Sequence, residues 1–122
     1  MTEKYLTIDL HNHYHPKETA QLAVNVDGTN FQAILKQRPK FLGSRTHDIE
    51  LRLKLMDAAG VDMVILNQTP WSPQGLEMCK TINNGIAKVA REHPDRFIPC
   101  CHIPLENNIE VLDEMNRGIN EF

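Results

Sequence analysis

The run Asp9-Leu10-His11-Asn12-His13-Tyr14-His15-Pro16 gathers three of the chain's six histidines and a carboxylate within eight residues. In an extended chain, residues two apart project to the same face. Asp9, His11 and His13 would therefore share one face, with Leu10 and Asn12 on the other. Two neighbouring imidazoles at the end of a strand can hold one divalent ion on a rigid element. The active sites of α/β barrels lie at the C-terminal ends of their strands. Asp9, one step deeper, is placed to orient a ligand or support the core. His15 reads as a loop histidine, because Pro16 comes directly after it and ends the extended geometry. Taken alone, His-x-His also describes solvated histidines at a strand end. The elements C-terminal to the run separate the two readings.

Those elements alternate between strand and helix signals. Leu6 to His11 is a short apolar-rich run suited to a first strand. Residues 14–47 then form a long first connection, with Asp27-Gly28 and Arg38-Pro39 as breakers and a short helix expected over 31–36. Connections of that length are often lids or binding loops. Ile49, Leu53 and Met56, widened by Leu51 and Leu55, predict a helix over 48–59 that Gly60 caps. Val61 to Asn67 contains the continuous run Val64-Ile65-Leu66, typical of a strand buried on both faces. Pro70, Ser72 and Pro73 mark a loop. Leu76, Cys79, Ile82, Ile86 and Val89 then predict a helix to about His93, ended by Pro94. Phe97 to Ile103 supplies a third strand, whose regular pairing is expected to begin only after Pro99. Ile109, Leu112, Met115 and Ile119 outline a last helix that stops near 118–122. The order β-α-β-α-β-α means parallel strands with helical crossovers, in an open doubly wound sheet or an eightfold barrel. Periodicity does not separate these two.

Composition removes other classes. The chain has 122 residues, a formal charge of −3 and a pI near 6.0, with scattered Lys and Arg. No basic footprint for nucleic acid is present. Apolar content of 41% and charged content of 24% are globular values. The opening MTEKYLTIDLH is neither a secretory signal nor a membrane span, so a cytoplasmic protein is expected. Cys79, Cys100 and Cys101 are odd in number and lack a Cys-x-x-Cys pair, which suits free thiols in a reducing compartment.

The segment Ile8-Asp9-Leu10-His11-Asn12-His13-Tyr14-His15-Pro16 resembles the amidohydrolase superfamily, in the branch similar to aminocarboxymuconate-semialdehyde decarboxylase. Three further segments match that branch in order: Arg52 through Asp62 (RLKLMDAAGVD), His93-Pro94-Asp95-Arg96-Phe97, and Ile103-Pro104-Leu105. The resemblance covers nearly the whole chain. It implies a (β/α)8 TIM-type barrel of which residues 1–122 form the first three βα units. It also implies a divalent metal, zinc being expected, with His11 and His13 as its first-strand ligands. Enzymes of this kind hydrolyse amides, esters or lactones, or decarboxylate small carboxylic acids without oxidation.

Several side chains then become candidates for contact with a small-molecule substrate. Arg45 stands where related decarboxylases carry an arginine that contacts a substrate carboxylate, although a solvated loop arginine is the competing reading. Trp71 would wall a pocket at the same rim, or pack as a loop aromatic. His102, at the end of the third strand, would face the cleft or serve structurally, and Asn67 has the same two readings. Arg96 is expected to be structural, Cys100 and Cys101 to lie in the core, and His93 to end a helix. No catalytic acid or base is identified.

The family's remaining metal ligands come from later strands, and a whole barrel needs about 250 residues. The isolated chain is therefore expected to be inactive and to associate with itself or with the rest of a barrel. The rival reading is a non-catalytic α/β module that folds alone and binds a ligand or partner. Another metal-dependent barrel, such as a phosphoesterase or nuclease, is a third, weakened by the lack of an aspartate-glycine sequel and of a basic surface.

Overall fold

The computed structural model describes residues 5–16, 46–68 and 75–122. Among these, strand β1 (Ile8–His13), helix α1 (Ile49–Ala59), strand β2 (Met63–Asn67), helix α2 (Leu76–Glu92), strand β3 (Phe97–Pro99) and helix α3 (Ile109–Glu121) succeed one another. The strands form one parallel sheet in the order β1-β2-β3. The expected α/β alternation with parallel strands is observed. The short helix expected over 31–36 and most of the 14–47 connection lie outside the described residues. No helix among the described residues is long and apolar enough to cross a membrane.

The helix ends arise from local chemistry. Asp48 caps α1, its carboxylate accepting from Leu51 N at 2.9 Å. Gly60 closes α1 at φ 69°, a left-handed position that glycine fills without strain. Asn108 caps α3 through Val111 N. Val64 and Leu66 of β2 face the helices and meet Met56, Ile82, Ile86, Val89 and Phe97 in the core. Met63, Ile65 and Asn67 are only half-buried on the opposite face.

One expectation is corrected here. Pairing of β3 ends at Pro99, where the sequence predicts that it begins. Val64 N donates to Arg96 O and Cys100 N to Leu66 O, so the even-numbered residues of β3 face β2. The nitrogen of Pro99 points away from that ladder, and its missing N–H costs β2 nothing. Helix α3 forms where the sequence outlines it. Its apolar row leaves Ile109 69% and Ile119 72% exposed, and Leu112 is exposed as well. The buried face instead carries Val111, Glu114 and Gly118. Glu114 can be buried because Arg117 and Asn83 satisfy its carboxylate, and Gly118 lets Cys101 approach closely.

The three cysteines are free thiols, Cys79 buried and Cys100 and Cys101 half-buried. Arg96 is structural as expected. Its guanidinium donates to Asp62 O at 2.9 Å and to Asp57 Oδ1 at 2.8 Å, tying the α1–β2 turn to the entry of β3. His93 caps the C-terminus of α2, with its ring edge-on to Phe97.

Candidate metal centre

The end of β1 is built around one irregularity. Asp9 pairs with Val64, but Asn12 pairs with Leu66, so three steps along β1 match two along β2. The extra residue is a β-bulge. It breaks the simple alternation, and the expectation that Asp9 shares a face with His11 and His13 is corrected. Asp9 and Asn12 are register partners of Val64 and Leu66, the residues that face the helices. Their side chains meet, Asn12 Nδ2 donating to Asp9 Oδ2 at 2.8 Å. Asp9 Oδ1 accepts from His11 N at 3.1 Å, which holds the bulge in shape. His13 is the register partner of Asn67, on the opposite face.

The two imidazoles are brought together. His11 Nε2 and His13 Nε2 lie 3.3 Å apart, with the rings edge-to-face at a centroid separation of 4.9 Å. Two nitrogens each about 2.0–2.1 Å from one tetrahedral ion stand roughly 3.3–3.4 Å apart. The spacing therefore fits a shared metal as well as a shared proton, and in either case the Nε2 lone pairs converge. Burial first, then the neighbouring His11 and Arg52, hold His13 below the usual histidine range. Neutral imidazole is the ligating form. His13 Nδ1 is buried and has no hydrogen-bond partner among the described residues. A metal on Nε2 would place the proton on Nδ1, as ligation by that nitrogen requires. The donor set thus fits two ligands of a divalent ion. Among the described residues, no group of three or more His, Cys, Asp or Glu is arranged to hold one.

His15 lies in the loop after β1, as expected, but is buried there, and its backbone N–H donates to Thr46 O at 2.8 Å. Burial, then the charges of His13, Arg52 and His47, pushes it down to about 4. On the helix side of β1 lies a cleft of about 320 Å³ lined by Asp9, Asn12, His13, Arg52, Met56 and Val64 among others.

His102 lies two strands along the rim, beyond the end of β3. Its Nε2 accepts from Gln68 N at 2.9 Å, a bond that joins the ends of β2 and β3. Burial lowers its pKa, against the opposing effect of the backbone at Gln68 and Cys100. The main chain of His102 is clasped by Asn83 of α2, whose Oδ1 accepts from His102 N at 2.7 Å and whose Nδ2 donates to His102 O at 2.8 Å. Nδ2 also donates to Glu114 Oε1 at 2.7 Å, and Glu114 is ion-paired with Arg117. Arg45 and Trp71 lie outside the described residues. Reasoning from the sequence passes over Arg52, Asn83 and Glu114 as individual residues. Each is a polar residue at helical spacing within a buried stripe, and that is the available signal.

No family model matches the chain. It is 31% identical over 91 residues to gamma-resorcylate decarboxylase of Rhizobium sp. strain MTP-10005, a match covering 68% of this chain and 28% of that enzyme. It is 29% identical over 136 residues to 2-amino-3-carboxymuconate-6-semialdehyde decarboxylase of Dictyostelium discoideum, covering 96% of this chain and 38% of that enzyme. The crystal structure of 5-carboxyvanillate decarboxylase from Novosphingobium aromaticivorans, in complex with manganese and 4-hydroxy-3-methoxy-5-nitrobenzoic acid, superposes with a TM-score of 0.75. That likeness covers 96% of this chain and 39% of the other, at 24% identity. The chain spans well under half the length of the relatives it matches.

Proposed function

We propose that this chain, a homologue of the amidohydrolase-superfamily decarboxylases, forms part of a metal-dependent, non-oxidative decarboxylase acting on a small carboxylic acid. Its three strands and three helices are read as the first three βα units of a (β/α)8 barrel. The exposed apolar row of α3 and, among the described residues, the unpaired edge of β3 suit packing against a further unit. The observation that carries the reading is the 3.3 Å separation of His11 Nε2 and His13 Nε2, both at the C-terminal end of β1, where barrel enzymes place their sites.

His11 and His13 would hold two positions on a divalent ion. A catalytic zinc site keeps about three protein ligands, so the rest of the coordination belongs to strands beyond these three. Such an ion supplies charge that fixes and polarises an anionic substrate. The chain's own residues provide a converging donor pair, of which His13 is kept toward the neutral form by burial, and His102 as a fixed imidazole beyond the end of β3. The family resemblance points to Arg45 for the substrate carboxylate, and the position of Trp71 after the second strand suits it to the pocket wall. Decarboxylation breaks one C–C bond, releases carbon dioxide and returns a proton to the carbon, so no oxidant enters the balance. Zinc and manganese are both admissible to two imidazoles.

The test is metal content after loading with Zn²⁺ or Mn²⁺. Binding should be weak in the isolated chain and absent in the double variant His11→Ala/His13→Ala. Unchanged stoichiometry in that variant would remove the assignment.

A further inference from the structure

We propose that Arg52 is a positioning residue for the metal-ligand pair, acting with Asp9 through the main chain of β1; this rests on the metal reading above. Arg52 stands on α1, only 7% exposed, in a row where an apolar residue would ordinarily be buried. Burying a guanidinium is costly unless its charge and donors are matched. Its Nη2 donates to the carbonyl oxygen of His13 at 2.7 Å. Asp9 lines the same cleft and, with Tyr14, is one of the groups whose charge favours the cation.

The two charged residues hold opposite ends of one short segment. Asp9 accepts from the N–H of His11, and Arg52 donates to the C=O of His13. The N–H of His11 and the C=O of His13 are thereby held by two charged residues that line the same cleft. This matters because β1 is bulged between Asp9 and Asn12. A bulge adds local twist and removes ladder hydrogen bonds, so the orientation of His11 relative to His13 is under-determined by the sheet alone. Arg52 and Asp9 supply what the ladder omits. An arginine suits the task because its planar fork reaches a carbonyl in a fixed direction, which a lysine does not reproduce.

A merely structural arginine would tie α1 to β1 without any effect on metal binding. Arg96 provides the comparison, since it ties α1 to the sheet through Asp57, Val61 and Asp62. The experiment measures Zn²⁺ affinity by competition with a chromogenic chelator, and the visible spectrum of the Co²⁺-loaded chain, with folding checked by circular dichroism. Loss of an outer support typically weakens metal binding roughly 10–100-fold. Arg52→Met is expected to lose at least about tenfold in Zn²⁺ affinity and to shift the Co²⁺ bands, with Arg52→Lys recovering part of the loss and Arg96→Ala leaving both unchanged. Should Arg52→Met fail to fold, Arg52→Lys decides the matter by the same readouts against the unsubstituted chain. Affinity and spectrum unchanged in the folded Arg52 variant would overturn the proposal, and so would an equal loss in Arg96→Ala. Failure of the unsubstituted chain to bind Zn²⁺ or Co²⁺ at all would instead remove the metal reading, and this inference with it.

Discussion

Replacing Asn83 with alanine tests the frame that holds the third strand end in place. Asn83 is fully buried, and its carboxamide makes three strong hydrogen bonds: two to the main chain of His102 and one to the Glu114 carboxylate. The pair on His102 imitates a strand partner just where β3 has stopped pairing with β2. A neutral bond of this kind contributes about 1 kcal/mol, and one to a carboxylate about 2 kcal/mol. The partners left behind are buried or half-buried and lose their solvation as well. The loss for Asn83→Ala should therefore be about 4 kcal/mol, read from urea denaturation monitored by circular dichroism with an unchanged m-value. Asn83→Asp probes the same contact electrostatically. It sets a second carboxylate against Glu114. Burial by itself would raise the Glu114 pKa, but the bonds from Arg117 and Asn83 outweigh it and hold the group low. Like charges raise the pKa of such a pair in the folded state. The penalty for Asn83→Asp should thus be largest near pH 7 and shrink as the pH falls through about 5. A loss under about 1 kcal/mol for alanine, or a pH-independent penalty for aspartate, would refute the reasoning.

A Cβ on Gly118 would meet Cys101 Sγ at 2.5 Å and its Cβ at 2.8 Å, so Gly118→Ala should cost about 1–3 kcal/mol through overpacking; a neutral result in thermal denaturation would show that α3 can slide. Arg96→Ala removes the donors to Asp62 O and Val61 O and an ion pair with the exposed Asp57. The ion pair adds little, so the expected loss of about 2 kcal/mol should persist in 1 M salt, and a salt-sensitive loss would point to the pair instead. Acid should destabilise the chain in two stages. His13, His15 and His102 all have lowered pKa values, so their contribution is complete above the unfolded value near 6.5 and declines as the pH falls below it. Glu114, also lowered, contributes above about 4.5 and declines below that. Urea midpoints that rise between pH 7 and pH 5 would contradict the first stage.

The alternation of strands and helices was legible because its signals are local. Asp48 and Gly60 bound α1 by their own side-chain and backbone preferences, and Val64-Ile65-Leu66 states a buried strand in three residues. The features that were not legible depend on partners distant in sequence. The stripe Ile109, Leu112 and Ile119 correctly marks α3 as amphipathic, yet the face buried within this chain is the one that carries Val111, Glu114 and Gly118. Glu114 tolerates that only because Asn83, 31 positions earlier, and Arg117 reach its carboxylate. Periodicity reports which residues favour burial, not which element is near enough to bury them. Pro99 misleads for a related reason: whether its missing N–H matters depends on which side of β3 faces β2.

The histidine pair survives the failure of the rule that first suggested it. Strict alternation places Asp9, His11 and His13 on one face, and the bulge between Asp9 and Asn12 moves Asp9 to the other. The imidazoles nevertheless converge, because the displaced Asp9 turns back to accept from His11 N while Arg52 holds the carbonyl of His13. The carboxylate expected to sit beside the site and orient a ligand instead acts on the backbone that carries the ring. Spacing alone is therefore an incomplete account of His-x-His here. A two-residue spacing brings two rings near one another, but at a bulged strand end only charged groups placed behind the strand set the angle at which they meet.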